Sequence, residues 1–208
     1  GHTYLPKSVL IKDAATHLAV SAEEIQNGIT ALDLKGDISC TPAENDEACY
    51  LAAFYQAEVY TARRLASLAV TEPSHTLTDA EIDEIISDIE KRDGIELDKE
   101  QKNAVYTAVN HGCTVITGGP GTGKTTTINT IIEALGAMHL SVALAAPTGR
   151  AAKRMSQVTG LEAKTIHRLL CMQPGGDETI ARFSYNENNT LPFDVSILDE
   201  VSMVDLLL

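Results

Sequence analysis

Apolar residues recur at helical spacing through the first part of the chain. Val9, Leu10, Ala14 and Leu18 share one face of a helix predicted over Pro6 to Leu18. After a turn at Ala19-Val20, Ser21 and Glu24 write a capping box. Ile25, Ile29 and Leu32 then form the stripe of a second helix that runs to about Lys35 and ends at Gly36. Two strand-like pieces, near Asp37 to Thr41 and Ala48 to Leu51, flank the polar turn Glu44-Asn45-Asp46-Glu47. Helix, turn, helix, hairpin is the grammar of a winged helix. Tyr50 to Val70 predicts a long amphipathic helix offering Leu51, Phe54, Val59, Ala62, Leu65 and Leu68 for burial. A linker containing Pro73 follows, then a helix over Asp79 to Arg92 with Ile82, Ile85, Ile86 and Ile89 inside and Gly94 closing it.

From Ile95 the pattern alternates short apolar runs with amphipathic stretches, as an α/β domain with a parallel sheet requires. Val115-Ile116, within the run Cys113 to Thr117, is expected as the first buried strand, and Thr125 to Met138 as its helix. Val142 to Ala146 predicts a second strand ending at Pro147. Helices are expected near Arg150 to Val158 and Thr165 to Leu170. Gln173 to Pro192 is polar and reads as a surface excursion or loose hairpin. Val195 to Leu198 predicts a third buried strand, running into Asp199-Glu200.

Composition narrows the class. With 208 residues and 44% apolar content a packed core is expected and global disorder is excluded. No apolar run approaches the roughly eighteen residues of a membrane span, and the N-terminus lacks signal-peptide grammar. Four cysteines, Cys40, Cys49, Cys113 and Cys171, show no metal-ligand spacing. The expectation is four reduced thiols in a cytoplasmic protein, with a Cys40–Cys49 cross-strand pair conceivable but not required. The net charge of −13 argues against nucleic acid until its distribution is examined. Residues 1–95 carry 7 basic and 17 acidic side chains, whereas Ala145 to Leu170 holds Arg150, Lys153, Arg154, Lys164 and Arg168 against Glu162 alone. That strip is either a phosphate-contacting surface or a solvated helix face. The second predicted helix offers Glu23, Glu24 and Asp33, and therefore suits a structural or protein-contacting role better than DNA reading.

The chemistry is concentrated at Gly118 to Thr126, which read G-G-P-G-T-G-K-T-T and contain the P-loop pattern. Glycines let backbone N–H groups converge on phosphate oxygens, and the following helix directs its positive end at the same anion. Lys124 reaches the β and γ phosphates, and the Thr125 hydroxyl sits on Mg²⁺. An apolar strand ending in Asp199-Glu200 supplies the complementary half: Asp199 for Mg²⁺ and Glu200 for the attacking water. ATP and Mg²⁺ are the expected cofactors. Met155 and Met203 read as core.

L-D-K-E-Q-K-N-A-V (Leu97 to Val105), V-I-T-G-G-P-G-T-G-K-T-T-T (Val115 to Thr127), A-A-P-T-G-R-A-A-K-R-M (Ala145 to Met155), K-T-I-H-R-L-L (Lys164 to Leu170) and D-E-V-S-M-V-D (Asp199 to Asp205) occur in order. Together they resemble the first motor lobe of RecD-like ATP-dependent DNA helicases of superfamily 1, in the stand-alone, exodeoxyribonuclease V alpha-like branch. The resemblance implies a mixed fold: an N-terminal, mainly α winged-helix-like region, then an incomplete α/β RecA-like P-loop domain with a parallel sheet. Residues 1–70 would hold the winged-helix-like region and long helix, 71–95 the linker and acidic helix, and 96–208 the motor-lobe part.

By the same resemblance, Gln101 reads the adenine edge, unless it is a plain surface amide. Gly119, Pro120, Gly121, Thr122, Gly123, Lys124, Thr125 and Thr126 cradle the phosphates. Pro147, Thr148, Gly149 and Arg150 grip single-stranded DNA with Lys153 and Arg154 in support. Thr165 and His167 form a second strand contact, unless His167 is an interior histidine. Ser202 couples Asp199 and Glu200 to the sheet. Family members continue into a second RecA-like lobe that completes the ATP site, so this chain alone is expected to bind nucleotide without unwinding DNA. The implied activity of the parent is unwinding of duplex junctions by 5′ to 3′ translocation on single-stranded DNA. Two other readings stay open: a different P-loop enzyme, such as a nucleotide kinase or transport ATPase, and an acidic winged-helix module that docks a protein partner.

Overall fold

Ser21, Thr78 and Asp98 each start a helix by the same device. In every case the side-chain oxygen accepts from the backbone N–H three residues on, while that residue's Glu or Gln reaches back to the cap N–H. Two of the orphan donors at each helix start are thereby satisfied, stabilising it by about 1 kcal/mol. The computed structural model describes residues 2–119, 121–172 and 183–205. Pro120 and residues 173–182, within the stretch expected as a polar excursion, lie outside them. The described residues pack as two compact units that divide between Arg64 and Leu65. Among them, no helix is long and apolar enough to cross a membrane.

The first unit contains β1 (Tyr4–Pro6), α1 (Lys7–Leu18), α2 (Ala22–Lys35), β2 (Ile38–Pro42) and β3 (Glu47–Leu51). The strands form an antiparallel sheet in the order β1-β3-β2. β1 is too short, and too close to Pro6, to leave a period in the sequence. α2 stops at Gly36, whose φ of +82° is a left-handed conformation glycine adopts without a Cβ penalty. The hairpin turn is tied to α1 through Asp46, whose carboxylate accepts from Ser8 Oγ at 2.6 Å and Ser8 N at 3.1 Å. These bonds hold Asp46 below the usual carboxylate range. Tyr50 and Leu51, expected to open the long helix, instead pair with Ser39 and Ile38, so α3 (Ala52–Val70) begins two residues later. Its expected apolar stripe is only partly covered: Phe54 and Val59 are half-buried, but Ala62, Leu65 and Leu68 are exposed.

The second unit is α/β. It contains α4 (Asp79–Asp93), α5 (Lys99–Asn110), α6 (Lys124–Ala137), β4 (Val142–Ala146), α7 (Gly149–Thr159), β5 (Ala163–Thr165), α8 (Ile166–Leu169) and β6 (Val195–Leu198). The three strands are parallel in the order β5-β4-β6. Ile82 and Ile86 of α4, Val105 and Val109 of α5, Ile131, Ala134 and Leu135 of α6, and Leu97 form one core. Val142, Val195 and Ile197 bring the sheet against it. Val115 and Ile116 depart from the expected buried strand: the segment has no strand pairing, and Val115 is 83% exposed. An apolar run supplies a face for a strand, but a ladder also needs a neighbour, and among the described residues neither edge of the β5-β4-β6 sheet pairs with this segment. β6, expected as a buried strand, is only half-buried on alternate residues, Val195 and Ile197, with Leu198 exposed.

Glu90 joins α4 to the start of α5, accepting from Leu97 N at 2.8 Å and lying 3.0 Å from Lys102 Nζ. The Leu97 amide first, and Lys102 second, hold its carboxyl below the usual range. A depressed carboxyl contributes stability above its unfolded pKa, and that contribution is lost as pH falls through the folded value. Glu90→Gln is therefore expected to lower urea stability at neutral pH and to narrow the gap between neutral and acid stability. Urea melts of both proteins near pH 7 and near pH 3 check this.

Candidate functional site

Gly118 to Thr126 enclose a tight loop at the head of α6. Gly121 and Gly123 adopt φ of +78° and +73°, conformations that carry a steric cost for residues with a Cβ. The space is also closed: a Cβ on Gly123 would lie 2.1 Å from Gln101 Nε2, and one on Gly118 would lie 2.6 Å from Thr122 Oγ1. Lys124 Nζ donates to the carbonyls of Gly118 and, at 2.8 Å, Gly119. Thr122 Oγ1 also donates to Gly119 O, at 3.0 Å. Because Gly123 is the N-cap, no side chain caps α6, and the N–H groups of a first helical turn have no intrahelical partner. Such a helix start is suited to an anion.

Gln101 is not a plain surface amide. Its Oε1 accepts from Asp98 N at 2.9 Å and its Nε2 donates to Thr122 O at 3.3 Å, joining the start of α5 to the loop. Asp98, which sequence reasoning passed over, fixes this placement through Gln101 N at 2.8 Å. Its spacing of three from Gln101 was the available signal. Within the Thr tract, Thr125 and Thr126 are half-buried, whereas Thr127 is buried with its hydroxyl on Gly123 O. Pro120 lies outside the described residues.

The carboxyl ends of the parallel strands carry the remaining candidates. Register pairs Ala146 with Thr165 and Ala145 with Leu198, so β4, β5 and β6 end level with one another. Pro147, Thr148 and Gly149 leave β4; Thr148 caps α7, its hydroxyl accepting from Ala151 N at 3.2 Å. Ala152 and Met155 turn into the protein, while Arg150, Lys153 and Arg154 are exposed. Among the described residues these three cations have no acidic partner. Thr165 ends β5 and caps α8, accepting from Arg168 N at 3.3 Å. His167 is exposed, its ring centroid 6.2 Å from that of Phe183, which removes the interior-histidine reading.

Beyond β6, Asp199 N donates to Ala145 O at 3.0 Å and its Oδ1 accepts from Glu200 N at 2.9 Å. Glu200 sits at φ +55°, in the left-handed region that is unusual for a side chain of this kind. Ser202 and Met203 follow in an exposed 3-10 turn, Val201–Met203. Met203 is thus not core, in contrast to Met155, because the turn carries it to the surface.

A glycine loop at a helix head, in one unit with a three-stranded parallel sheet, is consistent with part of a P-loop type of domain. The AAA domain family matches residues 101–208, just over half of the chain. An ATP-dependent RecD2 DNA helicase of Deinococcus radiodurans is 33% identical over 213 residues, covering 98% of this chain and 28% of that protein. The RecBCD enzyme subunit RecD of Mycolicibacterium smegmatis is 41% identical over 131 residues, covering 52% of this chain and 23% of its own. The ATP-dependent DNA helicase dda of Enterobacteria phage T4 is 45% identical over 92 residues, 43% of this chain and 21% of its own. The chain belongs to the RecD-like helicases of superfamily 1. It spans between 21% and 28% of the length of these three relatives.

Proposed function

We propose that this chain supplies the nucleotide site and part of the strand-contacting surface of a motor that couples ATP hydrolysis to 5′ to 3′ movement on single-stranded DNA and to unwinding of duplex junctions. The observation that carries this reading is Lys124, held over the Gly118 and Gly119 carbonyls at the uncapped head of α6. The donor set fits MgATP. Gly119, Gly121, Thr122, Gly123, Lys124 and Thr126 would surround the phosphates, together with Pro120 of the same loop. Thr125 and Asp199 would hold Mg²⁺, which neutralises phosphate charge when bound. Gln101 would position the base while bracing the loop. Glu200 would orient the attacking water and accept its proton.

Arg150, Lys153 and Arg154, without an acidic partner among the described residues and on one outward face, would hold phosphates of the strand, with Pro147, Thr148, Gly149, Thr165 and His167 beside them. A nucleotide kinase or transport ATPase would leave this cationic face without a use. Single-strand affinity tests the assignment: Arg150→Ala is expected to weaken it about 3- to 10-fold and to flatten its salt dependence by roughly 0.7 in slope. DNA-stimulated ATP turnover and unwinding of tailed duplexes by the full-length protein test the motor. Absence of unwinding in either polarity would refute it.

The first unit supports a second role. Its order of β1, two helices and a β2–β3 hairpin is read as a winged helix, and exposed Glu23, Glu24 and Asp33 on α2 suit a protein partner better than DNA. Capture by residues 1–70 of a specific partner, with no DNA retained, is the outcome this reading requires.

A further inference from the structure

In the β2–β3 hairpin Ser39 faces Tyr50, Cys40 faces Cys49 and Thr41 faces Ala48. The hydrogen bonds at the two ends of the hairpin fix what kind of pair the cysteines make. Ala43 N donates to Asp46 O at 2.8 Å and Ala52 N to Asp37 O at 3.1 Å. Hydrogen-bonded and non-hydrogen-bonded pairs alternate along an antiparallel ladder. Counting inward from either end makes Cys40–Cys49 a non-hydrogen-bonded pair. The outside of the hairpin agrees, since Cys40 N points away from β3 and donates to Asp33 Oδ1 at 3.0 Å. In such pairs the Cα atoms lie about 4.5 Å apart, within the span of roughly 4.4–6.8 Å that a disulfide bridges. The two sulfurs are 3.0 Å apart.

The pair is asymmetric. Cys40 is half-buried on the edge strand, whereas Cys49 is buried on the central strand, between β2 and β1. From this geometry we infer that Cys40 and Cys49 form a thiol–disulfide modification site, at which a small-molecule disulfide such as oxidised glutathione converts the dithiol into a cross-strand disulfide.

Cys40, as thiolate, attacks one sulfur of the small disulfide. That S–S bond breaks, and the departing thiolate takes up the proton Cys40 released. Cys49 then loses its proton and attacks the Cys40 sulfur. The protein Sγ–Sγ bond forms as the second small thiol leaves with that proton. One small disulfide and two protein thiols become one protein disulfide and two small thiols, two electrons passing to the reagent. Burial pushes the Cys49 thiol up, which suits Cys49 to resolving the mixed disulfide rather than to the first attack. The product closes a short loop around the turn and pins β2 to β3.

Intact-mass analysis of the chain in reduced and oxidised glutathione mixtures tests this. The expected product is a species about 2 Da lighter whose fragments, after cleavage at Glu44 or Glu47, stay joined until a reductant is added. Cys40→Ser and Cys49→Ser should each abolish it, whereas Cys113→Ser and Cys171→Ser should not. The oxidised chain should also melt several degrees higher. Exposed Cys171 is the internal control for reagent strength. The inference is overturned if Cys171 is fully glutathionylated while Cys40 and Cys49 of the folded wild-type chain remain open to alkylation. It is equally overturned if the light species forms only after denaturation.

Discussion

Lys124→Ala is expected to remove saturable MgADP binding from this chain, weakening it at least about 100-fold in calorimetric titration. The ammonium bridges Gly118 O and Gly119 O over the loop, where it is placed to exchange carbonyl partners for phosphate oxygens. Each hydrogen bond to a charged group contributes about 1.5–3 kcal/mol, and each 1.4 kcal/mol is about tenfold in affinity. Losing two such bonds is therefore enough for the expected effect. The substitution should leave the fold in place, because Lys124 is only half-buried and alanine is a strong helix former. An unchanged dissociation constant in a variant with wild-type circular dichroism would show that phosphates do not sit at the head of α6. Loss of binding with loss of helical signal would be settled by Lys124→Met, which keeps the aliphatic stem and removes only the charge.

The site was legible where local rules and global packing agree. The spacing of Gly118, Gly123, Lys124 and Thr125 announces a helix head, and the structure places Lys124 as the first residue of α6. The short strand Val195–Leu198 was readable because an apolar run meets two acidic residues at its end, although it is half-buried rather than buried. The capping box at Ser21 marked a helix start for the same reason: it is a closed local hydrogen-bond cycle needing no distant partner, as is the one at Thr78 that sequence reasoning passed over. Strand pairing is different. Val115-Ile116 has strand composition without a ladder, while β1 and β5 have ladders with only three residues each to announce them. Exposure escaped the sequence for a related cause. Met155 and Met203 look alike in the chain, but the face of α7 buries one and a 3-10 turn exposes the other. Gln101 shows the reverse: an adenine-reading role is proposed for it on resemblance alone, whereas its hold on Thr122 O is a contact of the structure.

Ile86→Ala is expected to be among the most damaging single truncations in the second unit, costing about 2–5 kcal/mol. Ile86 is 1% exposed and belongs to the core in which α4, α5 and α6 meet. Removing its outer carbons forfeits their transfer free energy and leaves a cavity that three packed helices can close only in part. Total stabilities of about 5–15 kcal/mol make this a large fraction of the whole. The urea midpoint should fall with little change in slope, since the surface exposed on unfolding is nearly the same. Val115→Ala serves as the comparison: the side chain is also β-branched but 83% exposed, and its loss should change stability by under about 0.5 kcal/mol. A cost below about 1 kcal/mol at Ile86 would mean that the three helices do not share a close-packed core. The consequence reaches the site because α6 contributes Ile131, Ala134 and Leu135 to this core and Lys124 to the loop. While the unit remains folded, nucleotide affinity of Ile86→Ala should stay near that of the wild type; above its lowered midpoint, binding should disappear together with the helical signal.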